Sequence, residues 1–155
     1  MNWDRVILAR KNGQPVGYLS FFMAGYGPFN VRVKSFIDEF GVISGVSRFL
    51  VYKLLEQRCK RSPCYVYKMA VPGPMRSKGV GSGLMAFLYS HAKAGALEAI
   101  ELEVFAKNTT AISFYKGLGF LQIGEIDLRR FGGFLPDSKI IRMKKRWAIH
   151  EQGKA

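Results

Sequence analysis

Arg76-Ser77-Lys78-Gly79-Val80-Gly81 sets two cations and two glycines between a β-prone run and a helical one. Glycine lets the backbone approach a ligand without a Cβ in the way. The start of a helix leaves N–H groups unpaired at the positive end of its dipole. Together they suit a diphosphate. A dinucleotide fingerprint is excluded, because G-x-G-x-x-G counted from Gly79 meets Leu84 at its sixth position, and no Gly-Lys-Ser/Thr closes a Walker A loop. Metal chemistry finds no ligand set: Cys59 and Cys64 read as free thiols, and His91 and His150 stand far apart.

The elements around this loop follow from periodicity and turn chemistry. Asn12-Gly13 signals a hairpin between strands near 5–10 and 16–22. Helical spacing spans about 31–40 and 46–60, with Val46, Leu50 and Leu54 as one stripe widened by Phe49 and Leu55. Residues 64–71 read as a strand, with Tyr65, Tyr67 and Met69 alternating against Val66, Lys68 and Ala70. A helix over 79–94 and a strand over 99–105 follow. In that strand Ile100, Leu102 and Val104 face one way, Glu101 and Glu103 the other. Asn108-Thr109-Thr110 offers capping residues for a helix reaching Gly117, with Gly119 at its break. Strands near 120–127 and 139–147 flank a Phe131–Pro136 loop. The class is α/β or α+β around a mixed sheet.

The chain has 155 residues, 48% of them hydrophobic and 23% charged, as expected for one globular domain over 1–155. Its apolar runs fall short of the ~20 residues that cross a bilayer. Met1-Asn2-Trp3-Asp4 carries no basic-then-apolar leader, so a cytoplasmic location is expected. Without a secretory route the Asn108-Thr109-Thr110 sequon is set aside. Lys and Arg number 24 against 11 Asp and Glu, a net +13, which favours anionic partners: nucleic acid, ribosome, membrane surface or a phosphorylated cofactor.

With these residues in place, the sequence resembles the GNAT superfamily of acetyl-CoA-dependent N-acyltransferases. Arg76, Gly79 and Gly81 match that family's Q/R-x-x-G-x-G/A cofactor loop. About 27 residues on, Asn108 to Phe120 matches its N-x-x-A-x-x-F-Y-x-x-x-G-F element, ending in Phe114-Tyr115-Lys116-Gly117-Leu118-Gly119-Phe120. The resemblance covers roughly residues 64–147. It implies a mostly antiparallel sheet flanked by helices, with the strand ending at Val71 splaying from the next parallel strand. Backbone groups near Met69 and Val71 would then meet the pantetheine arm, and an N–H there would stabilise an oxyanion. By the same resemblance Arg76, Ser77, Lys78, Gly79, Val80 and Gly81 hold the diphosphate and Asn108 the inner arm. Tyr115 protonates the departing thiolate.

The acceptor amine must also lose a proton. A lysine with pKa about 10.4 is roughly 0.04% neutral at pH 7, a handicap of about 4.6 kcal/mol, whereas an α-amine near 7.8 loses only about 1 kcal/mol. Glu103 lies where the ribosomal-protein alanine N-acetyltransferase branch carries its base, with Glu101 the fallback on the same strand face. The front departs from the family's order, since the hairpin precedes the helical segments that usually shape the acceptor cleft. The implied activity is acetyl transfer to a primary amine on a protein, a ribosome or aminoacyl-tRNA, by direct attack in a ternary complex without metal, with a homodimer as one possible state. The alternative is a non-catalytic CoA- or nucleic-acid-binding module. The Phe131–Pro136 loop is expected to border the acceptor site as a lid or dimer contact.

Overall fold

Asn12 and Gly13 both take left-handed backbone, with φ of +50° and +78°, and this tight turn folds the N-terminal hairpin. The computed structural model describes residues 2–29, 31–127 and 139–147. After a 3-10 turn over Trp3–Arg5, β1 (Val6–Lys11) pairs antiparallel with β2 (Gln14–Met23). Helices α1 (Val33–Phe40) and α2 (Val42–Arg61) follow, then β3 (Cys64–Ala70), α3 (Val80–Ala94), β4 (Ala99–Phe105), α4 (Thr109–Gly117), β5 (Leu121–Asp127) and β6 (Lys139–Arg146). The sheet runs β1-β2-β3-β4-β6-β5, antiparallel throughout except where β3 meets β4. This is the mixed, mostly antiparallel sheet flanked by helices that the sequence implies, with the hairpin at its front.

The core lies on one face of the sheet. Leu19 and Phe21 of β2, Val66 of β3, and Ile100, Leu102 and Val104 of β4 pack against Leu84, Met85 and Leu88 of α3 and Tyr115 of α4. Burying each of the larger aliphatic chains contributes about 2 kcal/mol. α2 lies on the opposite face, where Arg58 and Ser62 meet Glu103 and Glu101, and α1 packs on α2. Gly45 lets the two helices close up, because a Cβ there would lie 2.6 Å from the Phe36 carbonyl oxygen.

Two expectations about side-chain direction fail. Val46 and Leu50 are exposed, so they are not the buried stripe of α2; Leu54 and Leu55 lie outside the described side chains. Among the described side chains of α2 the buried positions are Gly45, Glu56 and Cys59, with Phe49 and Tyr52 packed on Phe36 of α1. Local spacing could not reveal which side α1 would take. In β3, Ser20 pairs with Lys68 but Phe21 pairs with Val66, so Tyr67 is an extra residue in a bulge. The bulge reverses the alternation. Met69 and Val71 therefore pack on the core side with Val66, not with Tyr65. Cys59 and Cys64 are free and buried, and burial pushes their thiols up to about 11 and about 12. The Phe131–Pro136 loop and His150 lie outside the described residues.

Candidate active site

Three elements meet at Gly81. A Cβ placed there would lie 3.2 Å from Cζ of Phe114 on α4 and 3.8 Å from Cε of Met69 at the end of β3. The glycine loop, the tip of β3 and the helix bearing Tyr115 are thus one locality. The loop is exposed and turns through left-handed backbone at Ser77 (φ +57°) and Gly79 (φ +78°). Arg76 Nε donates to the Val71 carbonyl at 3.1 Å and ties the loop to the strand end. That bond occupies the Val71 carbonyl with the chain's own side chain.

The two helix starts nearby differ. At α3 no side chain caps the first turn and no acid stands in it. Its N–H groups at Val80, Gly81 and Ser82 precede the first intrahelical bond, which runs from Gly83 N–H to Gly79. At α4 the Asn108 Oδ1 accepts from the Ala111 N–H at 3.1 Å, the cap its position in the sequence implies. Asn108 therefore retains its amide N–H₂ donors, but not its carbonyl, for another partner. The α3 start thus offers uncapped backbone donors to an anion, whereas at α4 the Ala111 N–H is already taken by the Asn108 side chain.

Beside Met69 the sheet opens. β3 and β4 pair in parallel only at Tyr65–Glu101 and Val66–Leu102, and no further pair joins them among the described residues. The gap begins at Tyr67 and Glu103. Tyr115 belongs to the Leu102 and Val104 side, 7% exposed and edge-on to Phe114 and Phe120. Burial pushes its phenol up to about 12, so it carries its proton throughout the neutral range. Glu103 faces the other side. The structure thus sets these two candidate groups on opposite faces of the sheet, with Tyr115 in the core cluster of Leu102 and Val104 and Glu103 on the other side.

Both carboxylates on that opposite face are held by cations. Arg58 Nη2 of α2 lies 3.1 Å from Glu103 Oε1, and Arg142 Nε of β6 lies 3.8 Å from the same oxygen. The described ion pairs leave Oε2 of Glu103 without a cation. Glu101 differs: Lys144 Nζ donates to Oε1 at 2.6 Å, Ser62 Oγ donates to Oε2 at 2.8 Å, and Arg142 Nη2 stands 3.7 Å from Oε2. Burial pushes the Glu101 carboxyl up, but the hydrogen bonds from Lys144 and Ser62, with the charges of Lys144 and Arg142, outweigh it and hold the carboxyl below its ordinary range. With both oxygens engaged, Glu101 is a structural carboxylate and a poor fallback base. Local sequence patterning does not show that Arg58, Ser62, Arg142 and Lys144 gather around these two carboxylates. A signal for two of them exists: Arg142 and Lys144 alternate on β6 as Glu101 and Glu103 alternate on β4, and the pairs sit directly opposite.

The description of a known family agrees with this layout: the acetyltransferase (GNAT) family model matches residues 2–120. The chain belongs to the GNAT family. No curated protein sequence matches it. Among solved structures this GNAT chain is similar to a Bacillus anthracis str. Ames protein, to which streptothricin acetyltransferase activity is attributed, in complex with acetyl coenzyme A. The likeness has 20% identity and a TM-score of 0.61, covering 92% of this chain and 61% of that one. A ribosomal-protein-alanine N-acetyltransferase from Brucella melitensis gives 20% identity and TM-score 0.61, covering 94% and 73%. Arabidopsis thaliana Naa50, solved with the bisubstrate analogue CoA-Ac-MVNAL, gives 19% and 0.61, covering 92% and 72%. The chain thus spans less than two thirds of the first of these. Identities at this level show the fold alone and do not sort the chain into the ribosomal-protein alanine branch.

GNAT-fold proteins typically bind acetyl-CoA, and the residues here fit that group. The uncapped α3 start, the left-handed turns at 77 and 79 and the missing Cβ at Gly81 leave room and donors for a diphosphate, and the gap between β3 and β4 accepts an extended arm. Among the described residues no three His, Cys, Asp or Glu side chains are grouped to hold a metal, and no helix is long and apolar enough to cross a membrane.

Proposed function

We propose that this GNAT chain is an N-acetyltransferase that moves an acetyl group from acetyl-CoA to a primary amine by direct attack in a ternary complex. The observation that carries the reading is the convergence of Met69, Gly81 and Phe114 beside the opening between β3 and β4. Arg76, Ser77, Lys78, Gly79, Val80 and Gly81 bind the diphosphate, the strand end at Met69 and Val71 lies along the pantetheine, and the Asn108 amide nitrogen steadies the inner arm. Acetyl-CoA supplies the activated acyl thioester. Glu103 accepts the amine's proton, relayed through water, on its cation-free Oε2. Tyr115 donates its hydroxyl hydrogen toward the leaving sulfur, and a backbone N–H near residues 69–71 stabilises developing negative charge.

The acceptor fits an amine on a protein, a ribosome or an aminoacyl-tRNA, in the cytoplasm, because a +13 chain attracts phosphate-rich surroundings and repels polyamines. A homodimer is compatible with this assignment. One observation favours the rival, a non-catalytic CoA- or nucleic-acid-binding module: a phenol near 12 is a weak proton donor to a thiolate. Thiol release from acetyl-CoA, assayed over α-amino peptides, lysine peptides, ribosomal proteins and charged tRNA, decides between them. Turnover with at least one class supports the transferase. Tight acetyl-CoA binding without turnover in any class supports the module.

A further inference from the structure

β1 is the outer strand of the sheet, and a groove lies along each of its faces. One, of about 660 Å³, runs between β1 and α3 and is walled by Met75, Val80, Leu84 and Phe87. The other, of about 470 Å³, lies on the opposite face among Trp3, Tyr18, Phe29 and Tyr67. Val6 and Leu8 line both. Apolar surface stands open at each, with Phe87 60% and Trp3 69% exposed.

Edge strands are ordinarily blunted by proline, by charge or by a covering element. Here Val6-Ile7-Leu8-Ala9 carries none of the first two, and the cations Arg10 and Lys11 come only after the bulge at Ala9/Arg10. We infer that β1 docks an extended acidic peptide of a partner protein, which adds a strand to the sheet. Successive side chains of a strand point to opposite faces. One strand beside β1 therefore sends alternate apolar side chains into the two grooves, which a helix could not do. Charge selects the partner. Among the described residues the groove linings hold Arg10, Lys11, Lys78 and Lys68 and no carboxylate, so a segment with acids beside Arg10 and Lys11 is attracted. Pairing of two β1 strands from copies of this chain would bring two +13 molecules together and is disfavoured. The groove beside α3 shares Lys78 and Val80 with the proposed diphosphate loop, while β2 and β3 intervene between the β1 edge itself and the opening beside β4.

The probe is a fluorescein-labelled, end-blocked heptapeptide that alternates valine and leucine, so that each groove receives an apolar side chain, and ends in two glutamates, titrated by fluorescence polarisation. Saturable binding is expected, weakened at least tenfold when lysines replace the glutamates and abolished by a central proline. Leu8→Glu and Lys11→Glu, each checked by circular dichroism for retained folding, are expected to weaken it at least tenfold. Hydrogen exchange is expected to slow at Val6–Ala9. Binding indifferent to proline, absence of binding at 1 mM peptide, or a wild-type dimer in sedimentation that Leu8→Glu dissociates would each overturn the assignment. None of these readouts depends on acetyl transfer, so the dock and the proposed activity stand or fall separately.

Discussion

Replacing Tyr115 with Phe removes one hydroxyl from a side chain that burial alone holds near pKa 12. A thiol near 8.5 is about 3.5 units more acidic, so complete proton transfer from Tyr115 to a free thiolate is uphill by about 4.8 kcal/mol. The phenol therefore acts while the C–S bond is breaking and the sulfur is only partly charged, as a hydrogen-bond donor whose proton moves late. General acid assistance is typically worth about 10²- to 10⁴-fold. With so unfavourable a match the low end applies: about 100-fold in kcat, or ~2.7 kcal/mol. The neutral phenol is the competent form, and a raised pKa keeps it neutral. Its loss limits activity only as pH rises toward about 12, and the wild-type rate stays flat on the alkaline side through pH 10 as far as this group is concerned. Kinetics by thiol release, with the best amine from the acceptor panel, read the effect directly. The melting temperature is expected to change by less than about 2 °C, because the ring contacts with Phe114 and Phe120 remain. Activity within twofold of wild type would refute the role of Tyr115, and an equal fall in folding stability would make the role structural.

Gly81→Val drives new methyl groups toward Phe114, whose Cζ already lies 3.2 Å from the Cβ position, and raises the Kd for acetyl-CoA at least tenfold by calorimetry. Gly83→Ala is its control: nothing lies within 4 Å of that Cβ, so affinity holds while the helix gains about 0.5–1 kcal/mol in urea unfolding. Glu103→Gln slows a lysine acceptor more than an α-amine in kcat/KM, since the deprotonation handicaps differ by about 3.6 kcal/mol; equal losses for both would remove Glu103 as base. Glu101→Gln leaves Lys144 without its carboxylate and destabilises the chain by about 2–3 kcal/mol at pH 7, toward the low side of buried-pair losses because Lys144 is 16% exposed. The folded carboxyl lies below its unfolded value, so this contribution is present above about pH 4.3 and fades as pH falls through the lowered pKa. The gap between variant and wild type in denaturant melts should narrow in acid.

Much of this architecture could be read from the chain because it is set locally. Asn12-Gly13 dictates its turn, Asn108 caps α4 through its own side chain, and strict alternation over 99–105 sends Ile100, Leu102 and Val104 to the core. Gly79 and Gly81 mark the loop because glycine takes the left-handed φ at one without strain and keeps a Cβ off the Phe114 ring at the other. What escaped the reading is non-local. The bulge at Tyr67 exists only against the register of β2, so the side taken by Met69 could not be seen in 64–71 alone. The buried face of α2 depends on where α1 lies. The cations around Glu101 and Glu103 come from α2 and β6, some 40 residues away in each direction. Several of the basic residues that raise the charge to +13 are committed to such internal pairs. Arg58, Lys60 and Lys144 are among them, and Lys145 caps the Leu118 carbonyl at 2.8 Å.

Calorimetric titration of acetyl-CoA into the purified chain tests the central claim most directly. A single site of micromolar Kd, lost in Gly81→Val and kept in Gly83→Ala, is the predicted result. No heat up to 1 mM acetyl-CoA, or affinity indifferent to Gly81→Val, would contradict it.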